Sequence, residues 1–299
     1  MWFRNLQLYR LTDAWSLDAG RLQAKLARHA FHGCNPSDLQ ARGWVPPRGV
    51  DGELVLASQK QLLICLGVEQ KLLPASVIRQ YAQDRLVTLE AQQGFKPGRK
   101  QVLEVREAIA AELLPRAFVK RRLSYAWIDP LGGWLAIDAA SQAKADEVIQ
   151  QLKLSLDDLP LKLLRTRLAP ATAMTDWLAA GEAPAGFTID RDCELRAPGE
   201  ERATVRYARH TLEAAEIGQH IAGGKTATRL ALTWRERISL VLTEQLQIKR
   251  LAFLDILKEE IGRQTENADE LFEADFLLMS GELSKMLAQL TQALGGEAE

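Results

Sequence analysis

One short group of residues has the types and spacing that could support hydrolysis of nucleic acid. Glu69-Gln70-Lys71 ends a predicted strand, and Asp51 lies upstream of it. Metal-dependent nucleases use such acid-x-Lys arrangements, because the carboxylates hold the magnesium ion that activates water. A chain of this composition is expected to contain about one such tripeptide by chance. A magnesium-dependent nuclease that uses Asp51, Glu69 and Lys71 is therefore kept as one hypothesis for function.

A second group, Gly224-Lys225-Thr226, is similar to the end of a loop that binds nucleotide phosphates. Such a loop requires another glycine five residues before Gly224, where this sequence has Gln219. It also follows a strand, whereas the pattern here predicts a preceding helix. A helix that ends at a glycine and is followed by a strand accounts for the tripeptide better. Nucleotide hydrolysis is not predicted.

His29, His32 and Cys34 are close enough in sequence to suggest a metal site. A zinc site normally has four ligands, and the fourth is missing here. The three residues lie where a predicted amphipathic helix ends, which favours solvated or capping roles. No cluster of serine, histidine and acid can be singled out either. The sequence therefore predicts a protein that is not an enzyme, with no catalytic residue, no metal and no cofactor.

Basic residues interleaved with an aromatic residue give a clearer signal in the segment from Pro115 to Arg122. Its four cations could neutralise several phosphates of a nucleic acid; they are Arg116, Lys120, Arg121 and Arg122. Phe118, between them, has two interpretations. It packs in the core or against a second subunit, as a lone phenylalanine usually does, or it contacts DNA as an exposed wedge.

Charge is distributed unevenly along the chain, although the formal net charge is only −1. Residues 94–122 contain eight basic and three acidic residues, and residues 202–237 contain seven basic and three acidic residues. Residues 255–299 contain eleven acidic and three basic residues. Such asymmetry indicates a polyanionic partner, although solvated helix faces are an alternative explanation.

Length and periodicity indicate an α+β protein of more than one structural unit, because 299 residues exceed what one core usually covers. After Pro74, two helical patterns flank the breaker Gly94-Phe95-Lys96-Pro97-Gly98 and predict a protruding αα-hairpin with a basic tip. Trp44-Val45-Pro46-Pro47 is predicted to be a rigid loop. The patterns also predict a hairpin over 53–66, two strands (123–129 and 134–138) around a turn, a strand-like run over 230–241 and two C-terminal helices (254–263 and 268–294). The predicted division is a central region in two parts (1–75 and 119–170), the hairpin (76–118) and a C-terminal region (171–299).

The expected compartment is the cytoplasm. The first residues show no secretory signal, and no stretch reaches the roughly 18 apolar residues needed to span a bilayer. The three cysteines are widely separated and form no C-x-x-C pair, which argues against a disulfide framework or a zinc ribbon. No membrane association is predicted.

Several unusual strings, in order along essentially the whole chain, resemble the bacterial recombination-associated RdgC family. They are Phe3 with Asn5-Leu6, Gly43-Trp44-Val45-Pro46-Pro47, Leu113-Leu114-Pro115-Arg116-Ala117-Phe118, Trp127-Ile128-Asp129, Lys249-Arg250-Leu251, and the stretch from Phe272 to Leu283. The resemblance implies a nucleoid-associated protein that binds double-stranded DNA with little sequence preference and restrains RecA-mediated strand exchange. It also implies a ring-shaped homodimer with a basic inner surface, closed by a hairpin tip and a C-terminal base.

The resemblance also implies roles for individual residues. Phe118 matches the family's functional phenylalanine at the tip, and Arg209 and His210 match positions that contact DNA in the family. With the basic stretches, the predicted DNA-binding residues are Lys96, Arg99, Lys100, Arg116, Phe118, Lys120, Arg121, Arg122, Arg209, His210, Lys225 and Arg229. Besides the nuclease, the alternative is a module that binds the recombinase directly and uses its basic faces only for an acidic partner.

Overall fold

The computed structural model describes residues 1–12, 15–49, 51–255 and 267–298. Their strands form one twelve-stranded sheet, in the order β2-β4-β5-β6-β1-β12-β11-β10-β8-β9, with β3 paired to β4 and β7 paired to β1. The strands are β1 (Leu6–Leu11), β2 (Gln40–Val45), β3 (Val55–Ser58), β4 (Gln61–Leu72), β5 (Phe118–Asp129), β6 (Trp134–Asp138), β7 (Leu161–Leu163), β8 (Phe187–Arg196), β9 (Thr204–Tyr207), β10 (Thr226–Trp234), β11 (Ile238–Thr243) and β12 (Ile248–Phe253).

Seven α-helices lie within the described residues, so the fold is α+β as predicted. They are α1 (Ala19–Ala27), α2 (Ala75–Gln93), α3 (Arg99–Leu113), α4 (Gln142–Ser155), α5 (Pro170–Ala180), α6 (Ala214–Ala222) and α7 (Ala268–Ala293), and a 3₁₀ turn (Leu114–Arg116) follows α3. None of them is long and apolar enough to cross a membrane. The predicted helix from Leu254 to Arg263 falls almost entirely outside the described residues.

Strand β1 holds the two halves of the sheet together. One of its edges pairs with β6 from Leu6 to Arg10, and the other pairs with β7 and, through Leu6 and Ile248, with β12. The longest antiparallel register joins β4 to β5, from Leu62 opposite Ile128 to Leu72 opposite Phe118. The β4–β5 pair therefore extends from the centre of the sheet to the point where α2 begins and α3 ends.

Two apolar cores lie on the sheet. The first contains side chains of α1 and α4, such as Leu22 and Leu152, together with Ile64 and Ile137 from the sheet. The second contains side chains of α5 and α7 and most of the apolar side chains of β8 to β12. Because strand side chains alternate between faces, neighbouring residues of β4 enter different cores, and Leu63 belongs to the second.

Helix α7 is held by polar contacts along its length. Asp275 pairs with the amino group of Met1, and Ser284 Oγ donates to Asp129 Oδ2 at 3.1 Å. Near the end of the helix, Gln289 Oε1 accepts from Trp234 Nε1 at 2.8 Å. The same helix therefore contacts the chain start, the β5–β6 turn and β10.

The prediction of a rigid loop over residues 44–47 is wrong for the first two of these residues. Trp44 and Val45 belong to β2, and Trp44 is fully buried and donates from Nε1 to Ser155 Oγ at 2.8 Å. The predicted hairpin over residues 53–66 is confirmed as β3 and β4. The strand expected from Leu230 to Val241 is two antiparallel strands joined at Arg235 and Glu236.

Candidate nucleic-acid interface

The connection between α2 and α3 presents Lys96, Arg99 and Lys100 to solvent. Helix α2 ends at Gly94, whose φ of 78° is in the left-handed region that glycine adopts without strain. The side chain of Gln101 donates to Gln93 and accepts from the Gly98 N–H, which ties the two helices together at this end. The three cations therefore stand on a short, internally bonded turn.

The second basic group lies where α3 ends and β5 begins. Arg116, Lys120 and Arg121 are exposed, and the Arg121 guanidinium lies 5.1 Å above the ring of Phe31. Arg122, on the opposite face of β5 from Arg121, is bound by Glu147 at 2.6 Å and donates to Ser124 Oγ. Arg122 is therefore the least available of the four cations for a phosphate.

Phe118 is 85% exposed at the start of β5. The interpretation of Phe118 as a core residue is therefore wrong, because the chain covers only a small part of its ring. Its cross-strand partner Leu72 and its neighbour Val119 are about half exposed. Contact with a second subunit or with DNA remains as the role for this apolar group.

The α2–α3 pair itself leaves much apolar surface uncovered. Among its described side chains only Ala82 and Ile109 are buried. Four large side chains remain more than half exposed; they are Tyr81, Val87, Phe95 and Leu103. Apolar surface on this scale is typical of a site of protein–protein contact.

Arg209 and His210 follow β9. Arg209 has a φ of 55°, and its N–H donates to Asp192 Oδ1 at 2.6 Å. The side chain of the same Asp192 accepts from Arg250 Nη1 at 3.0 Å. One carboxylate therefore positions the backbone of one arginine and the side chain of another.

Lys225 follows the end of α6. Gly224 has a φ of 82° and donates its N–H to Ile221 O, while the Lys225 N–H donates to His220 O. These bonds close a helix end, and β10 begins at the next residue. The expected helix end at this tripeptide is confirmed.

Arg229, on β10, lies together with Glu194 and Lys249 on the face of the C-terminal strands that the second core does not cover. Burial alone would raise the pKa of Glu194, but the Thr228 hydroxyl and the charges of Arg229 and Arg196 outweigh it, so the pKa is lowered. Burial, followed by repulsion from Arg229, lowers the pKa of Lys249. On this face, therefore, Arg229 of β10 and Lys249 of β12 interact electrostatically across the intervening β11.

Sequence reasoning did not select Arg206, Lys249 or Arg250 as site residues, although all three line the same cavity as Arg229. Lys249 and Arg250 belong to one of the strings that resemble the family, but no contact role is predicted for them from sequence. A strict alternation from Ile248 would have put Arg250 in the core and Leu251 in solvent, but the observed burial is the reverse. The bulge that causes this reversal left no recognisable mark in the sequence.

The predicted nuclease residues are not assembled into a metal site in the described part of the chain. Asp51 lines a cavity with Arg48, Glu53 and Asp269. Glu69 accepts from the Cys34 N–H at 3.2 Å, and buried Lys71 donates to Pro36 O. Within the described ranges, no group of three or more His, Cys, Asp or Glu side chains could hold a metal ion. His29, His32 and Cys34 therefore do not form such a group.

The predicted site residues do not converge on one pocket. Helix α3 has 15 residues and so spans about 22 Å, which separates the cations of the α2–α3 turn from those around Phe118. Arg209, His210, Lys225 and Arg229 lie in a third place, on and beside the C-terminal strands. Three separate basic surfaces suit an extended polyanion better than a small molecule.

Residues 1–297 match the family model described as "Putative exonuclease, RdgC". This chain belongs to the RdgC family. It is 55% identical to the "Recombination-associated protein RdgC" of Dechloromonas aromatica, over 99% of this chain and 98% of that protein. Proteins of the same name from Janthinobacterium sp. and Herminiimonas arsenicoxydans are each 54% identical, over at least 99% of both chains.

Two of the strings that carry the RdgC resemblance have clear structural roles. In Trp127-Ile128-Asp129, the side chain of Asp129 accepts from Gln61, from two backbone N–H groups and from Ser284. In Gly43-Trp44-Val45, Gly43 lies against the backbone of Phe31, where a Cβ atom would be only 2.6 Å from the Cα atom. Asp129 and Gly43 therefore have structural roles within the RdgC fold.

Proposed function

We propose that this protein binds double-stranded DNA through its backbone, with little sequence preference, as a homodimer that encircles the duplex. In this role it modulates homologous recombination by restraining RecA-mediated strand exchange. The observation that carries the proposal is the spread of exposed cations over three distant surfaces. Phosphate contacts of this kind give affinity without reading bases. The relatives' name, which associates them with recombination, supports the biological context.

The proposed dimer contact uses the exposed apolar surface of the α2–α3 pair and Phe118. In the proposed division, residues 76–118 form a tip that meets its symmetry mate. Residues 171–299 form the base, which makes a second contact, and residues 1–75 and 119–170 lie between them. A two-fold axis through both contacts closes a ring, since the same patches meet on each subunit. The proposed location is the cytoplasm, on the nucleoid.

Duplex binding is expected to weaken steeply and linearly when log affinity is plotted against log salt. Two unrelated duplexes of equal length should give affinities within a few-fold of each other, because no base readout is involved. Fluorescence anisotropy over a salt series measures both quantities. A shallow salt response, or a strong preference for one sequence, would contradict backbone binding. RecA-promoted strand exchange, with and without the protein, tests the proposed restraint.

Exonuclease activity is a second candidate function, because the matching family model is described in those words. An exonuclease would shorten end-labelled linear duplex in the presence of magnesium or manganese. We expect the labelled duplex to remain intact, since Glu69 and Lys71 are engaged by Cys34 and Pro36. Degradation that disappears in Glu69→Gln would establish the enzymatic alternative. Degradation that persists in Glu69→Gln would indicate another active site.

A further inference from the structure

Register shifts in two strand pairings, β8–β10 and β11–β12, lie on the face of the C-terminal strands that the second core does not cover. The β8–β10 register shifts between Ala227 and Arg229 and again between Leu230 and Leu232. The β11–β12 register shifts between Ser239 and Val241, opposite Lys249. Bulges redirect side chains and are concentrated beside functional sites. Here charged side chains of β8, β9, β10 and β12 lie together at one place.

A small cavity of about 50 Å³ lies at this place. Its charged lining residues are Asp192, Glu194, Arg206, Arg229, Lys249 and Arg250. A cavity of this size holds a few water molecules, whereas sites for drug-sized ligands usually measure about 300 to 1,000 Å³. Its size therefore suits a single small ion or one phosphate group, not a nucleotide.

Both acidic residues of the cavity are already neutralised. Asp192 accepts from Arg250 and from the Arg209 N–H. Glu194 pairs with Arg196 at 3.0 Å and accepts from Thr228 Oγ1 at 2.8 Å. Their charges are therefore largely cancelled before any ligand arrives.

Three cations are less fully compensated. Within the described part of the chain, the guanidinium groups of Arg206 and Arg229 form no hydrogen bond or close ion pair, although the charge of Arg229 acts on Glu194, which already pairs with Arg196. The ammonium group of Lys249 has only the neutral carbonyl of Ala140, at 2.8 Å. Repulsion between Arg229 and Lys249 adds to burial in lowering the Lys249 pKa. An anion placed between these side chains would relieve that repulsion.

We propose that this cavity, which we call the bulge site, binds one phosphate group of the DNA backbone between Arg206, Arg229 and Lys249. This inference rests on the proposed function and adds a fixed phosphate position to otherwise diffuse contacts. A fixed phosphate position sets where the protein lies along the DNA duplex, as phosphate contacts do in other DNA-binding proteins.

The test measures duplex affinity against salt for full-length Arg229→Gln, Lys249→Gln and the double variant. Each single variant is expected to lose about tenfold in affinity, because a charge-assisted hydrogen bond is lost. The double variant should lower the salt slope by about 0.9, the value for one phosphate. Each single variant should lower the slope by no more than this, since the remaining side chains still contact the same phosphate. A fall of about 1.8 in the double variant would overturn the shared site.

Arg21→Gln is the matched control, because it removes the same charge from an exposed position on α1. It should leave the slope almost unchanged. If it lowers affinity as much as Arg229→Gln does, binding depends on total charge and the bulge site is overturned. Thermal unfolding and circular dichroism check that every variant keeps its fold.

Inorganic phosphate, compared with chloride at equal ionic strength, separates the bulge site from the proposed function. Phosphate should raise the Tm of the wild type, but not that of the double variant, since a ligand stabilises the state that binds it. If this occurs but the wild type binds no duplex, the proposed function fails and the assignment to DNA phosphate fails with it. If duplex binding is normal in the double variant and phosphate has no effect, the bulge site is overturned while the proposed function stands.

Discussion

Phe118→Ser is expected to weaken duplex binding strongly while leaving every cation in place. The ring is 85% exposed in the single chain, so its apolar surface is available to a partner subunit. Loss of its burial at that contact would cost about 1.5 to 3 kcal/mol per subunit, and two-fold symmetry makes each substitution act twice. Anisotropy with a labelled duplex gives the affinity, and light scattering gives the mass with and without duplex.

The matched control is Leu131→Ser, which replaces another strongly exposed apolar side chain, in the β5–β6 turn at the opposite end of β5 from Phe118. It should leave affinity and mass unchanged. Because Phe118 contributes little to packing within one chain, both variants should keep the circular dichroism spectrum of the wild type. Wild-type affinity in folded Phe118→Ser would show that the ring is neither a subunit contact nor a DNA contact.

Gly43→Ala should be the most damaging of the small substitutions in this chain. A Cβ atom at this position would lie 2.6 Å from Phe31 Cα and 2.7 Å from Phe31 N. Backbone atoms cannot rotate away, so β2 and the segment of Phe31 must separate. This separation breaks the bonds from Phe31 N to Trp44 O and from Trp44 N to His29 O. We expect about 3 kcal/mol of lost stability, measured by thermal or urea unfolding.

Gly281→Ala provides a control of opposite sign. Gly281 lies in the middle of α7, and an added Cβ would meet nothing within 4 Å. Alanine is favoured over glycine inside a helix by about 0.5 to 1 kcal/mol, so this variant should be slightly more stable. A similar stability in both variants would contradict the close approach at Gly43.

Periodicity predicted much of the fold, and the errors have identifiable causes. The pairs β3–β4 and β5–β6 and helix α7 have regular patterns, and the structure contains them. The turn between β10 and β11 was missed because Arg235 and Glu236 adopt φ values of 47° and 56° without a glycine. Strand β8 was missed because its register shift interrupts the alternation of buried and exposed residues.

The candidate site could be predicted as charge but not as geometry. The basic stretches identified the exposed cations of the α2–α3 turn and of the Phe118 segment. The sequence did not show that Arg122 is paired with Glu147, since that contact joins residues 25 positions apart. It also did not show that Arg229 and Lys249 share a cavity, because strand register and bulges place them there.

The central position of β1 constrains the order in which this chain can fold during synthesis. Leu6–Leu11 are made long before β12, which is one of their neighbours in the sheet. The second core gains α7 only after all twelve strands have been made, and until then the apolar faces around Trp127 and Trp134 lack that cover. Nascent chains that stop before α7 are therefore expected to aggregate. Translation must therefore pass α7 before the second core can be covered.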